Sequence, residues 1–526
     1  PRLRGQSDGP RQHIFAVRRD LMNDATWASL LASSRAVFHA RNGAISEQIA
    51  RTVSLFENRV LEAPPEAPRY RSKPVKEAGT LSGDGLEFWN GYGGFATQGD
   101  EYVIRLRGGE STPHPWINVI AENDFGFHVA AEGGGYTWSK NSRDYPLTAW
   151  SNDPVIDRPS ETFYITDLST GAVLTPFAGL SERESVEFET RHGFGYSTFR
   201  SVQEQVSIEL SQTLLPGKPA KLSRLTLANK GSIARSFRIY GYVEWMLGNN
   251  PNRTAPFVTC RATENRQVLF ASNPYSITHS GRTAFFAVDA PVVGITASRG
   301  EFIGRWGDIR RPASVSGGKE LSGQTSHDGD PCAALALDVI LQPGDTREFV
   351  FVLGDSDNDA AAEALSAEAL AANFESALEA NRSRWASLLG KVRIETPDRA
   401  LNHLLNGWLP YQMLSCRITA RAAFYQASGA FGFRDQLQDT LALMLHDASI
   451  ARRQIVAAAG RQFLEGDVQH WWLADSGAGV RTLISDDVVW LAYAVDQYVT
   501  ATGDSALMDE DVPFIAGPPL AEGMHD

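Results

Sequence analysis

Hydrophobic and polar positions follow three different rhythms along this 526-residue chain. To about Pro74 the period is helical. Asp24 is placed to cap a helix carrying Trp27, Leu30, Leu31 and Phe38, and a second helix carries Ile45, Ile49, Val53 and Phe56. The proline-rich "LEAPPEAPRYRSKP" then reads as a linker, so residues 1–74 form an N-terminal helical segment. From about 86 to 354 the period is two. "FRIYGYVEW" puts Phe237, Ile239, Gly241, Val243 and Trp245 on one face and Arg238, Tyr240, Tyr242 and Glu244 on the other; "ALALDVILQ", "QVSIELSQ" and "LSRLTLANKGS" alternate likewise. Short strands separated by Gly, Pro, Asn and Asp turns, with no helices between them, predict a large antiparallel β-sandwich rather than a parallel α/β fold.

At Asp355 the helical period returns. "DSDNDAAAEALSAEALAANFESALEANRSRWASLLG" reads as a long helical segment with Leu365, Phe374, Leu378, Trp385 and Leu388 at helical spacing. An extended crossover closes this linker region, 355–395. Thr396 is a natural N-cap with Pro397 at the first helical position. Helices are predicted at about 398–414, 434–447, 449–463 and 486–501, joined by loops rich in glycine, aromatics and charge. The fold class is multidomain β + α: sandwich, linker helix, then helical hairpins over 396–526.

Composition narrows the function classes. The net charge of −13 and the lack of a basic stripe argue against nucleic acid as a partner. Three widely spaced cysteines suggest neither a disulfide framework nor a zinc site, and fit a reducing compartment. No apolar run reaches the roughly 20 residues of a membrane span, and "PRLRGQSDGPRQ" does not read as a signal peptide. Both ends read as cut: the start as mid-loop, the end as an unfinished element. There is no G-x-S-x-G elbow, no P-loop and no His pair at metal spacing.

Three stretches are candidates for chemistry. In "GAFGFRDQLQD" a helix starting near Arg434 puts Leu437, Leu441, Met444 and Leu445 on one face, with Asp435, Asp439 and His446 roughly opposite. Asp435 is then either a plain helix-start carboxylate or half of a sugar-binding pair. A guanidinium donates to one sugar hydroxyl while the carboxylate beside it accepts from the neighbouring hydroxyl; Tyr425, Gln426 and Phe431 lie on the approach. In "EGDVQHWWLADSGAGVRTLISDDVVW", Trp471 and Trp472 sit beside His470 in what reads as a loop. They either cover helix ends or form a stacking platform. Ser485 can cap the last helix with Asp486 and Asp487 in its first turn, which leaves Arg481 free for an anion or sugar. Within the sandwich, "FWNGYGGF", "TPHPWINVIAENDFGF" and "GGGYTWSKNSRDYPLTAWSND" carry more aromatics, Asn and Arg than a plain sandwich needs.

These stretches, with "RHGFGYSTF", "YGYVEWMLG" and "FYQASGAFGFRDQLQD", resemble the C-terminal region of cyclic β-1,2-glucan synthases, a glycoside hydrolase family 94 module (formerly glycosyltransferase family 36) related to cellobiose and chitobiose phosphorylases. The likeness is collinear from about Gln12 to Asp526. It implies a super-sandwich, a linker helix and the first helices of an incomplete (α/α)6 barrel. It implies inverting phosphorolysis of β-glucan with inorganic phosphate as co-substrate and no cofactor. It also implies that Arg434 and Asp435 hold the sugar next to the cleaved bond, with weaker carry-over to Tyr425, Gln426, Trp471, Trp472 and Arg481. The general acid is expected beyond Asp526, in a D-W-N-D stretch absent from this sequence, so no catalytic residue is assigned. "HWWLADSGAG" departs from the His-Pro-Pro-type run of relatives. Expected partners are β-glucan, the remainder of a larger synthase chain and a possible second copy. The expected location is the cytoplasmic face of an inner membrane. The alternative is a non-catalytic carbohydrate-binding or assembly module; a conventional hydrolase needs a second carboxylate that sequence does not place.

Overall fold

The alternating stretches pair into sheets. The computed structural model describes residues 19–34, 37–57, 81–153, 157–423, 427–521 and 523–524, and divides into two units, 1–76 and 77–526. The larger unit is dominated by an eleven-stranded sheet. Its central strands run Glu187–Gly193, Tyr196–Gln203, Val206–Leu214, Ala220–Asn229, Thr346–Ser356 and Thr283–Val288 in spatial order. A five-stranded sheet faces it, centred on Pro331–Leu341, Arg235–Glu244 and Glu161–Asp167. The ladders of both sheets are antiparallel, for example Gly241 opposite Leu335 on one side and Phe163 on the other. Between the sheets lies one core, with Leu225, Phe286 and Phe351 meeting Phe163, Ile239 and Leu335. Gly241 is needed there: a Cβ would come within 2.5 Å of the Phe351 ring.

The Arg235–Glu244 strand alternates as its sequence predicts, in the centre of the five-stranded sheet. Both faces are buried, because the segment after Ser298 folds back over the outer one. Tyr240 Oη donates to the carbonyls of Ser314 (3.1 Å) and Lys319 (2.6 Å), and the Tyr242 ring stacks on Phe302 at 4.7 Å. Buried phenols persist here because their hydroxyls have partners.

The long helical segment is two helices, Asp359–Ala371 and Phe374–Leu389. Asn358 and Asn373 each accept a backbone N–H at the N-cap, and Ala372 is extended between them. Ala362, Leu365, Phe374 and Leu378 pack on Leu222, Phe285 and Val352, on the side of the large sheet away from the main core. Beyond the crossover the cap is Asp398, which accepts from Ala400 N and Leu401 N, rather than Thr396. The helix runs from Arg399 to Ala420, longer than predicted, through two wider-wound stretches, Leu404–Trp408 and Met413–Ala420. It is pinned to the sandwich: Trp408 Nε1 donates to Gly99 O (2.9 Å) and Tyr411 Oη to Asn118 Oδ1 (2.8 Å).

The next two predicted helices are one element, Phe433–Ala459, kinked where Asp447 leaves helical geometry (φ −157°, ψ 97°). Its buried stripe follows Gln436, Leu437, Thr440 and Leu443 to His446, while Leu445 is exposed. This reverses the expected placing of Leu445 and His446. The preceding helix covers the Gln436 side, where Gln436 Nε2 donates to Arg417 O, and so turns the inward face. The last long helix, Asp487–Thr502, ends at Gly503 in the left-handed region. Asp486, not Ser485, takes its N-cap position. Leu404, Leu409, Leu445 and Val489 leave apolar surface exposed on these helices. No helix among the described residues is long and apolar enough to cross a membrane.

In the smaller unit, Asp24–Ser33 and Ile45–Glu57 are helical. Asn23 rather than Asp24 caps the first, accepting from Thr26 N, and Phe38 lies beyond its end. The linker's proline-rich residues fall outside the described residues.

Candidate functional site

Gly432 is extended and its side places no oxygen at the start of the Phe433–Ala459 helix; instead Gln436 Oε1 reaches back and accepts the Gly432 N–H. Phe433 is driven inward, fully buried beside Trp472. Helical spacing then sends Arg434 and Asp435 outward and returns Gln436 and Leu437 to the core. Asp435 thus occupies a first turn, where the helix dipole favours a carboxylate.

Arg434 Nη1 donates to Asp486 Oδ2 at 3.0 Å, which holds the Asp486 carboxyl below its usual range. The Arg434 Nε stands 3.6 Å from Asp435 Oδ1. On the other flank Arg417 Nε donates to Asp439 Oδ2 at 2.6 Å, and its Nη2 stands 4.0 Å from Asp435 Oδ2. Burial pushes the Asp439 carboxyl up, against the pull of Arg417. Asp435 is therefore flanked by two guanidiniums, each already anchored on another carboxylate. Its own side chain is half exposed, and neither ion pair is closed to hydrogen-bond distance. A hydroxyl-bearing ligand would find an acceptor at Asp435 and donors beside it. Arg417 was the contributor missed from sequence; a single arginine in an otherwise ordinary helix gives no cue.

The tryptophans are not in a loop. Val468–Leu473 is a strand, paired with Ala430–Gly432 on one side and Gly479–Thr482 on the other, with Trp471 opposite Gly432 and Trp472 opposite Phe431. Consecutive strand residues face opposite ways. Trp472 is buried, its ring 5.7 Å from that of Phe431, whereas Trp471 is only half-buried. Trp472 is thus a core residue, and Trp471 is the one available to stack. The structure also removes Arg481 from the free cations. Its Nε and Nη2 both donate to Asp467, at 2.5 and 2.6 Å, Nη2 also to Glu465, and Nη1 to the carbonyls of Gly517 and Pro518. It clips a hairpin to the chain after Phe514. Tyr425 and Gln426 lie outside the described residues.

The aromatic- and Asn-rich sandwich loop has a visible task. Asn141 Nδ2 donates to Gly429 O (2.9 Å) and Ser142 Oγ to Ala420 O (2.8 Å), so the sandwich holds the turn that leads into the Arg434–Asp435 helix. Arg421, left-handed at φ 51°, donates through Nε to the same Gly429 carbonyl and lays its guanidinium 4.7 Å over Phe431. Gly429 sits at φ +64°.

The architecture is a broad two-sheet sandwich with helices docked on it, the Arg399–Ala420 helix pinned to the sandwich by Trp408 and Tyr411. The fold agrees with a bacterial glucoamylase complexed with acarbose, at TM-score 0.50 and 12% identity over 77% of this chain and 61% of that one. The family is sharper. Residues 100–372 match the glycosyl hydrolase 94 supersandwich domain, and residues 384–518 match the catalytic domain of the glycosyl hydrolase 94 superfamily. The chain belongs to glycosyl hydrolase family 94. It is 57% identical, over its whole length, to the cyclic beta-(1,2)-glucan synthase NdvB of Rhizobium meliloti (strain 1021), of which it spans 19%. It is 23% identical to the N,N'-diacetylchitobiose phosphorylase of Vibrio furnissii, over 81% of this chain and 57% of that protein.

Proposed function

We propose that this chain is the sugar-holding part of a β-1,2-glucan-processing phosphorylase or transferase module in a larger cyclic glucan synthase-like enzyme. One observation carries the reading: half-exposed Asp435 stands between Arg434 and Arg417 at a helix mouth, in a family 94 chain with 57% identity to a cyclic glucan synthase. Arg434 and Asp435 grip neighbouring hydroxyls of the sugar beside the reacting bond, and Trp471 offers a ring face. In an inverting phosphorolysis a carboxylic acid protonates the leaving glycosidic oxygen. Phosphate attacks the anomeric carbon from the opposite side, so one C–O bond breaks, another forms, and a sugar 1-phosphate leaves. The residues described above position the sugar; none of them is assigned as the acid.

Calorimetry with β-1,2-linked glucose oligosaccharides tests this. Wild type binds, and Asp435→Ala loses affinity by roughly 10–100-fold, the worth of one charge-assisted hydrogen bond. Unchanged affinity in Asp435→Ala refutes the sugar-site reading. The second reading, a binding module without chemistry of its own, uses the same sugar-holding residues. Release of glucose 1-phosphate by the pure 526-residue chain would exclude it.

A further inference from the structure

Two consecutive residues, Asp486 and Asp487, each hold one side chain of the site. Asp486 holds Arg434. Asp487 is fully buried, and its Oδ2 lies 2.8 Å from His470 Nδ1. Its other oxygen, Oδ1, is buried without a hydrogen-bond partner among the described residues. His470 sits at the irregularity in the Val468–Leu473 strand, between Gln469 and Trp471, next to the tryptophan registered against Gly432. The imidazole is about one-third exposed, at 32% of its side-chain surface. His470 and Arg434 are therefore anchored on consecutive residues, and Arg434 in turn stands 3.6 Å from Asp435 Oδ1.

A buried carboxylate with an empty oxygen is costly unless it serves a partner. Here it fixes an imidazole. As the acceptor of a hydrogen bond, Asp487 puts the proton of neutral His470 on Nδ1 and leaves Nε2 as a lone-pair acceptor. Arginines are donors only, and a carboxylate accepts only; a sugar hydroxyl does both. Resting on the sugar-site reading above, we propose that His470 is a further sugar-binding residue. Its Nε2 accepts the hydrogen of a hydroxyl on the sugar held by Arg434 and Asp435, and Asp487 is the positioning residue that sets its tautomer. A plain stability clamp between strand and helix would use the same Nδ1 bond but would not need Nε2.

Imidazole 1H–15N spectra of the full chain, with and without a β-1,2-linked glucose trisaccharide, separate the two. In the wild type His470 carries its proton on Nδ1, and trisaccharide shifts the Nε2 resonance. Asp487→Asn, whose amide can donate to Nδ1 instead, moves the proton to Nε2, and trisaccharide affinity falls about five- to tenfold, one hydrogen bond's worth. His470→Ala falls by a similar factor, and melting curves show whether either variant has lost its fold. If Asp435→Ala abolishes binding while the wild-type Nε2 resonance ignores the sugar, His470 is only a clamp and this proposal fails. Should His470→Ala prove unfolded, the wild-type Nε2 response still decides. If the wild type binds no trisaccharide at all, the sugar-site reading itself falls, and the role of His470 with it.

Discussion

Gly429→Ala should disturb both folding and sugar binding, because one added methyl group strikes the joint between sandwich and helices. Gly429 holds φ +64°, and a Cβ there would lie 2.0 Å from Asn141 Oδ1 and 2.8 Å from its Cγ. Left-handed backbone costs a residue with a Cβ about 1–2 kcal/mol. The Asn141 side chain must also move, giving up its 2.9 Å bond to the Gly429 carbonyl and its bonds from Arg143 N and Asp144 N. Asn141 is fully buried, so a displaced amide loses about 1–3 kcal/mol more. The expected total is about 2–5 kcal/mol. Denaturant unfolding of four proteins isolates the clash: wild type, Gly429→Ala, Asn141→Ala and the double variant. The double variant should recover roughly 1–3 kcal/mol relative to additivity, since only backbone strain remains once the amide is gone. Strict additivity would refute the steric argument. Unchanged trisaccharide affinity in Gly429→Ala would refute the idea that this turn positions Arg434 and Asp435.

Arg481→Ala should cost about 3 kcal/mol in denaturant unfolding, because its pair with Asp467 is largely buried at 9% and 12% side-chain exposure. Trisaccharide affinity should stay within a fewfold, and a large loss would restore Arg481 as a sugar ligand. Glu132 makes stability pH-dependent. Burial, with the nearby Asp157 charge, raises its carboxyl from 4.5 to about 7. The folded chain therefore holds a proton that the unfolded chain has already released, and stability falls as pH rises from about 4.5 to about 7, then levels off. Glu132→Gln should flatten that decline, with its advantage over wild type greater at pH 8 than at pH 4.5; parallel curves would show that Glu132 does not titrate in this window.

The sandwich was legible because strands with unlike faces leave a period-two signature that the turns punctuate. The linker break was written at Asn373, a cap residue inside a helical pattern, but alanine-rich flanks masked it. Arg434 and Asp435 were legible as a pair, and their outward direction follows from Phe433 and Leu437 going inward. Trp471 and Trp472 were readable as aromatic but not as a strand. Their partner Ala430–Gly432 is three residues long and distant in sequence, so no local period records the pairing.

Sequence alone determined the order of β and α regions, a helix start near Arg434 and the chemistry of an Arg–Asp pair, since each depends on local spacing and residue type. Tertiary structure decided which charges are available. Arg481 is committed to Asp467 and Arg417 is brought beside Asp435. Asp487 is buried against His470, and Asn141 reaches 288 residues along the chain to hold Gly429. Hydrogen bonds and ion pairs act over a few ångströms of space regardless of chain distance, so their partners are fixed only when the sheets and helices have closed around them.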